Sequence, residues 1–280
     1  MQKNDIIEIL GKNTRVQHGK LNDRVYLMKL DKADFPKIID QINTLARDNR
    51  YTKIFAKVPF WAAPVFISSG FIVEAYIPNF YEGKDDVFFM SKYLTSDRLL
   101  DIEYDKLEEL SKILGSVLHK TKPEKSKLKI KIIKLGEEYI DQITEIYKVV
   151  FKSYPFPIHD PEYIGKTMKE GVQYFGIIVK RKLCAVSSAE VDVVGANAEM
   201  TDFATLPEHR GKKYSIILLH EMEKAMKKQG ISTFYTIARL NSMAMNKTFL
   251  NLGYTYAGTL IKNTNIAGKI ESMNVLYKAI

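Results

Sequence analysis

Phe203-Ala204-Thr205-Leu206-Pro207-Glu208-His209-Arg210-Gly211-Lys212-Lys213-Tyr214-Ser215 is the stretch that decides the reading. A strand-like run, Ala198 to Thr205, feeds it. It leads into Ser215 to Lys228, where apolar residues recur at Ile216, Leu219, Met222 and Met226 with the 3.6-residue period of an amphipathic helix. Gly230 stops that helix. A strand, a basic glycine-containing turn and a helix N-terminus in succession bring unpaired backbone N–H groups and the positive end of a helix dipole to one point. A pyrophosphate fits there. Taken alone, the turn would serve equally well as a helix cap; the strand before it and Gly253-Tyr254 after it favour the ligand.

Outward from this stretch the chain alternates between the two periods. Strands are expected at Leu128–Leu135, Gln173–Lys180 and Leu183–Val191, with a helix at Glu138–Phe151 and a Pro-rich loop and short helix between them. After the helix that ends at Gly230 come a strand at Thr233–Ala238, a helix ending before Gly253, and strands at Tyr254–Ile261 and Ser272–Tyr277. This is an α/β (α+β) layer fold on a mixed sheet. Its 280 residues suit two domains, and the polar, breaker-rich run His119 to Lys127 is the best linker. The expected division is 1–122, a linker at 123–127, and 128–280.

The two parts look like copies. Phe55-Ala56-Lys57, Gly70-Phe71 and Phe89-Met90-Ser91 can be laid against Ile237-Ala238-Arg239, Gly253-Tyr254 and Ser272-Met273-Asn274. The first part has no counterpart of Pro207 to Ser215, so a cofactor is expected in the second part alone.

Composition narrows the function. With 46% apolar and 27% charged residues the chain is an ordinary globular protein, and its single cysteine, Cys184, rules out an internal disulfide framework and suits a reducing cytoplasm. Met1 to Leu10 does not read as a signal peptide, and Val58 to Val73, broken by Pro59 and Pro64, is too short to span a membrane and is expected to be buried. The net charge of +9 comes from lysines spread along the chain, which argues against a nucleic-acid groove and suits a small polyanion. No Gly-x-Ser-x-Gly elbow, dinucleotide fingerprint or phosphate-loop motif occurs, His220-Glu221-Met222-Glu223-Lys224 lacks the second His of a zinc protease helix, and no metal site is expected.

The residues Arg210-Gly211-Lys212-Lys213-Tyr214-Ser215 resemble the acetyl-CoA loop of the GNAT acetyltransferase family, Arg/Gln-x-x-Gly-x-Gly/Ala, departing from it at Lys213 and Ser215. Over its full length the chain is similar to a narrower group, the β-lysine N6-acetyltransferases of osmolyte synthesis. Phe80-Tyr81-Glu82-Gly83-Lys84-Asp85-Asp86, Tyr154-Pro155-Phe156-Pro157-Ile158, Met200-Thr201-Asp202-Phe203-Ala204-Thr205 and Glu271-Ser272-Met273-Asn274-Val275 carry that likeness. The resemblance implies a mostly antiparallel sheet flanked by helices, preceded by a smaller, degenerate copy.

It also implies acetyl-CoA as co-substrate, held by backbone at Phe203, Ala204 and Thr205, by Arg210, Gly211, Lys212, Lys213, Tyr214 and Ser215, and by Ser242 and Phe249. Glu199 is the candidate base. Asp202 is the rival, facing the opposite side of the sheet unless a bulge intervenes. Phe249 stands where many members have an acidic Tyr, which leaves Tyr254, another tyrosine, water, or an unprotonated thiolate. A zwitterionic amine needs a cation and carboxylates. Candidates are Tyr154, Phe156, Arg239, Glu271 and Asn274, with Glu82 and Asp85 joining if the first domain closes over the site. The reading is a cytoplasmic monomer or homodimer. Another amine (a polyamine, an aminoglycoside or a protein lysine) and a non-catalytic CoA-binding reader stay open as alternatives.

Overall fold

The computed structural model describes residues 4–116 and 130–280, so the expected linker at 123–127 lies outside the described residues. The N-terminal half contributes β1 (Ile6–Leu10), β2 (Thr14–Gly19), β3 (Arg24–Lys29), β4 (Lys53–Pro59), β5 (Ile72–Tyr81) and β6 (Asp85–Tyr93). α1 (Ile38–Asp48) connects β3 to β4, α2 (Ala63–Ser68) connects β4 to β5, and α3 (Ser96–Leu100) and α4 (Tyr104–Ser116) follow β6. The C-terminal half runs β7 (Lys131–Leu135), α5 (Ile140–Val150), α6 (Pro161–Lys169), β8 (Gln173–Val179), β9 (Lys182–Asp192), β10 (Asn197–Thr205) and α7 (Tyr214–Lys228). It closes with β11 (Thr233–Arg239), α8 (Met243–Asn251), β12 (Thr255–Ile266) and β13 (Lys269–Ala279). The last hairpin is longer at both ends than its apolar pattern suggests.

Among the described residues all the strands join one sheet, in the order β1-β2-β3-β4-β6-β5-β12-β13-β11-β10-β9-β8-β7. It is antiparallel except at β3–β4 and β10–β11. Helices cover it where their apolar stripes demand. Ile38, Ile39, Ile42 and Ala46 of α1 are buried against β3 and β4. Leu218, Leu219, Met222 and Met226 of α7 pack on β8 to β10, while α5 packs Ile143, Ile146 and Tyr147 in a separate core. A further core, Tyr26, Phe55, Phe80 and Phe89 with Tyr235, Leu260, Met273 and Val275, lies between the halves. Truncating one of its buried aromatics costs about 3–5 kcal/mol, so the halves are held together by apolar packing as well as by the sheet.

The two halves share one topology. β3 and β4 are parallel with α1 between them, β4 pairs with β6 and β6 with β5; β10, α7, β11, β13 and β12 repeat this arrangement. The registers match residue for residue: Tyr26 pairs with Phe55 and Phe55 with Ser91, as Glu199 pairs with Tyr235 and Tyr235 with Tyr277. A bulge separates Val73 from Ala75 on β5, and another separates Tyr256 from Gly258 on β12. Gly258 and Ala75, which hold equivalent places, pair with each other at the junction, as in an isologous two-fold interface. The structural match corrects the alignment read along the chain. Phe55 corresponds to Tyr235, not Ile237, because the connection from β11 to the glycine turn is longer than that from β4, and Met90 corresponds to Leu276, not Met273, because the second hairpin is longer.

The junction tolerates no side chain at Gly258. A Cβ there would stand 2.0 Å from the Glu74 carbonyl oxygen, at a φ of 151°. Glu74, the bulged residue of β5, forms a buried ion pair with Lys53 at 3.0 Å, and the two reach across the junction to the Ile261 amide at 2.8 Å and its carbonyl at 2.7 Å.

Val58 to Val73 is not the buried segment expected. Val58, Ala62, Ala63, Phe66 and Phe71 are buried, but Phe60, Trp61, Val65, Ile67, Ile72 and Val73 are exposed, because a short helix and a turn at the sheet's rim cover only one side of the run. Among the described residues no helix is long and apolar enough to cross a membrane.

Candidate active site

β10 and β11 pair only from Asn197 to Glu199 and from Thr233 to Tyr235, although both strands continue, to Thr205 and to Arg239. Past Glu199 they part. On its other edge β10 has a bulge against β9 between Thr201 and Ala204, with Asp202 at a φ of 56°. The bulge breaks the strand's alternation and brings Asp202 onto the same wall as Glu199. Both line a cavity of about 1380 Å³ that runs between the halves.

The register fixes the electrostatics. Glu190 on β9 is directly opposite Glu199 on β10. Burial, and then repulsion from Glu190, pushes Glu199 up to about 8. Burial, and then Asp202, pushes Glu190 up to about 7. Glu199 is half-buried and Glu190 is exposed to the cavity, so what shifts them is the protein packed around the cavity and not loss of all contact with water. Burial also raises Asp202, against hydrogen bonds from Ser188 Oγ at 2.6 Å and from the Tyr154 hydroxyl. Tyr235, opposite Glu199 on β11, accepts from Lys57 Nζ at 3.2 Å through its hydroxyl. A carboxylate pair with proton affinity near neutrality can take a proton from an ammonium group and release it again.

The cavity continues along the parted strands past Phe203, Arg239, Ser242, Met245 and Phe249 to Arg210. At that end Pro207–His209 form one 3₁₀ turn, Gly211 and Lys213 adopt left-handed φ of 78° and 59°, and α7 begins at Tyr214. A Cβ on Gly211 would meet nothing within 4 Å, so glycine is needed there for its φ and not for space. Lys213 holds a conformation in which a non-glycine side chain costs roughly 1 kcal/mol. The first-turn N–H groups of α7, with Arg210 and Lys212 beside them, have the chemistry a pyrophosphate requires. Tyr214 is buried with its ring against His209, and Ala204 of β10 is buried in the core, so neither side chain lines the cavity.

Several residues expected from the sequence meet here and others do not. Glu199, Asp202, Tyr154, Phe156, Arg239, Arg210, Phe203, Ser242 and Phe249 line the cavity, and so do Glu82 and Asp85 from the N-terminal half. Glu271 stands behind the wall and grips Arg239 through two bonds of 2.9 Å. Asn274 is fully buried, bonded to Asn246 and Thr259. Tyr254 is off the wall, in the core between α7 and α8 with Phe249 beside it and Glu223 as its polar neighbour. Thr205, Gly211, Lys212, Lys213, Tyr214 and Ser215 lie outside the cavity lining, at the loop end.

Sequence reasoning missed Glu190, Tyr235, Lys57, Tyr26 and Tyr81, all on the cavity wall. Glu190 had a signal, since a hairpin folded about Val193 to Ala196 sets it opposite Glu199. Lys57 had none, because it reaches the site only through the contact between halves. Among the described residues no group of three or more His, Cys, Asp or Glu stands ready for a metal ion.

The pattern of the acetyltransferase (GNAT) family matches residues 140–254. A β-lysine N(6)-acetyltransferase of Methanococcus maripaludis is 41% identical over 276 residues, 98% of each chain. The N-acetyltransferase YodP of Bacillus subtilis is 28% identical over 98% of each chain. A β-lysine N(6)-acetyltransferase of Methanosarcina mazei is 29% identical over 86% of this chain and 96% of its own.

Proposed function

The chain belongs to the acetyltransferase (GNAT) family, and from that premise we propose that it transfers acetyl from acetyl-CoA to the N6 amine of β-lysine, with Glu199 as proton acceptor. The observation that carries the chemistry is the Glu190–Glu199 pair at the point where β10 and β11 part. The near-full-length likeness to β-lysine acetyltransferases names the amine.

A lysine-type ε-amine with a pKa near 10.4 is neutral in about one molecule in 10³ at pH 7, so a proton has to leave before nitrogen can attack. Glu199 takes it, helped by a cavity that disfavours its own ionised form. When bound, acetyl-CoA supplies the activated acyl carbon and a thiolate leaving group. The backbone from Phe203 to Thr205 lies along the parted strand for the pantetheine arm and the acyl oxygen, and the α7 N-terminus with Arg210 and Lys212 holds the pyrophosphate. Phe249 has no proton to give and Tyr254 is in the core, so the leaving thiolate takes its proton from neither of them. Glu82 and Asp85 on the far wall meet the second amine of the substrate, and Arg239, held straight by Glu271, meets its carboxylate. The reading places the reaction in the cytoplasm and makes N6-acetyl-β-lysine a compatible solute.

Purified protein with acetyl-CoA tests this by release of free thiol and by the mass of the product. β-Lysine should give the highest kcat/KM, above α-lysine, spermidine and an aminoglycoside. Faster acetylation of one of those reassigns the substrate, and no thiol release from any amine leaves a CoA-binding protein without this activity.

A further inference from the structure

The cations on the cavity wall are mostly committed. Arg239 is bound by Glu271, Arg24 donates to the carbonyl of Asn263 and to Thr264, Arg15 faces Glu170 and Lys29 faces Asp192. Lys57 differs. Strand alternation puts it on the same face of β4 as Phe55, which is buried between the halves, and its Nζ lies 3.2 Å from the Tyr235 hydroxyl and 5.6 Å from the centre of that ring. Tyr235 in turn stands opposite Glu199 on the neighbouring strand, and both line the cavity. The equivalent of Lys57 in the other half is Ile237, as the paired registers show.

We infer that Lys57, supplied by the N-terminal half, is a positioning residue of the acetyl-transfer site: it holds the Tyr235 hydroxyl beside Glu199 and keeps the Glu190–Glu199 pair able to carry negative charge. The inference rests on the role assigned above to Glu199. Without that cation, the two carboxylates on neighbouring strands would hold their protons further into the alkaline range, leaving less of the ionised form to take one from the substrate. The groups facing this centre are Arg15 from β2, Lys29 and Tyr26 from β3, Glu190 and Asp192 from β9, Glu199 and Asp202 from β10, Tyr235 from β11, Tyr154 from the loop after α5 and Tyr163 from α6. Among them Lys57 is the cation whose largest charge partners are Glu199 and Glu190. Burial lowers its own proton affinity, and the carboxylates oppose that. Lys57 does not touch the reacting atoms; it acts through Tyr235 and through its charge.

The test compares Lys57→Met and Lys57→Arg with wild type by two readouts. One is the titration of the Glu199 and Glu190 side chains in ligand-free protein, followed by carbon-13 carboxyl signals assigned with Glu199→Gln and Glu190→Gln. The other is the acidic limb of kcat/KM for β-lysine. Lys57→Met should move both midpoints up by about one pH unit or more, lowering kcat/KM at pH 7 about tenfold and converging toward wild type at high pH. Lys57→Arg should stay near wild type. A uniform loss at every pH, or carboxyl midpoints that do not move, overturns the inference. If the midpoints move but β-lysine is not a substrate, the substrate reading fails and the role of Lys57 stands. Should Lys57→Met fail to fold, Tyr235→Phe carries the test, since removing the hydroxyl should move the same midpoints in the same direction.

Discussion

Where the C-terminal half places Glu199 between Glu190 and Tyr235, the N-terminal half places Tyr26 between Gln17 and Phe55. The backbone frame is the same, and only one half carries carboxylates at these positions. The connections after the equivalent strands differ in the same sense. Arg210, Lys212 and Lys213 follow β10, whereas Asp31 and Asp34 follow β3, with Asp34 held low by backbone N–H groups from the turn between β1 and β2. That connection also carries Lys32 and Lys37, so it has no net positive charge to draw a pyrophosphate. The sheet face of the N-terminal half that carries no helix packs on β11 to β13 and walls the cavity. On the proposed reading, the half without a carboxylate at this position forms the acceptor side of a single site.

The largest expected effect separates the equivalent positions. Glu199→Gln should lower turnover about 10² to 10⁴-fold at pH 7 and leave acetyl-CoA affinity nearly intact, with partial recovery at higher pH as more amine arrives neutral. Tyr26→Phe should cost less than about tenfold, since removing one wall hydroxyl deletes no proton acceptor. Equal losses would mean that the halves share the chemistry. Next, Arg210→Glu with Lys212→Glu should weaken acetyl-CoA binding by about 10²-fold, through two reversed charges at the phosphate site, and abolish the ligand-induced rise in Tm. An unchanged rise would move the cofactor elsewhere, the N-terminal half included.

Gly258→Ala tests the junction. With a Cβ forced against the β5 backbone, unfolding free energy should fall by about 2–4 kcal/mol, read from the denaturant midpoint. A neutral result would show that the halves are not locked at this pair. The smallest effect is on stability against pH. Glu199 and Glu190 have folded-state proton affinities raised above the unfolded carboxylate value near 4.5, so the folded protein holds protons that the unfolded chain releases. Stability is therefore lost as pH rises from about 4.5 toward 8. Glu199→Gln removes part of that penalty, and its Tm should match wild type near pH 5 and exceed it near pH 8. A Tm difference that does not grow with pH would deny the strained carboxylate pair.

Much of the C-terminal half was legible because its signals are local. The strand, the turn from Pro207 to Tyr214 and the apolar stripe of α7 lie in one continuous stretch, and an amphipathic helix and its stop can be read from period alone. The bulge at Asp202 was legible only as a condition, since bulges depend on what the neighbouring strand does. The repeat was visible in outline and misplaced in register, because equal spacing from Gly70 to Met90 and from Gly253 to Met273 hid the longer second hairpin. Lys57, Tyr235 and Tyr26 were invisible as site residues, since what brings them to Glu199 is the packing of one half on the other. Tyr254 looked free in the sequence because an aromatic after a glycine turn gives no sign of which side of the sheet it joins.

The central claim is that one amine is held between the two halves with its terminal nitrogen at Glu199. The structure of the complex with CoA and β-lysine measures that directly. The account predicts N6 within hydrogen-bond reach of a Glu199 carboxylate oxygen, about 3 Å, with the other end of the substrate against the wall formed by Glu82 and Asp85. β-Lysine bound with N6 away from Glu199, or contacting the C-terminal half alone, would contradict it.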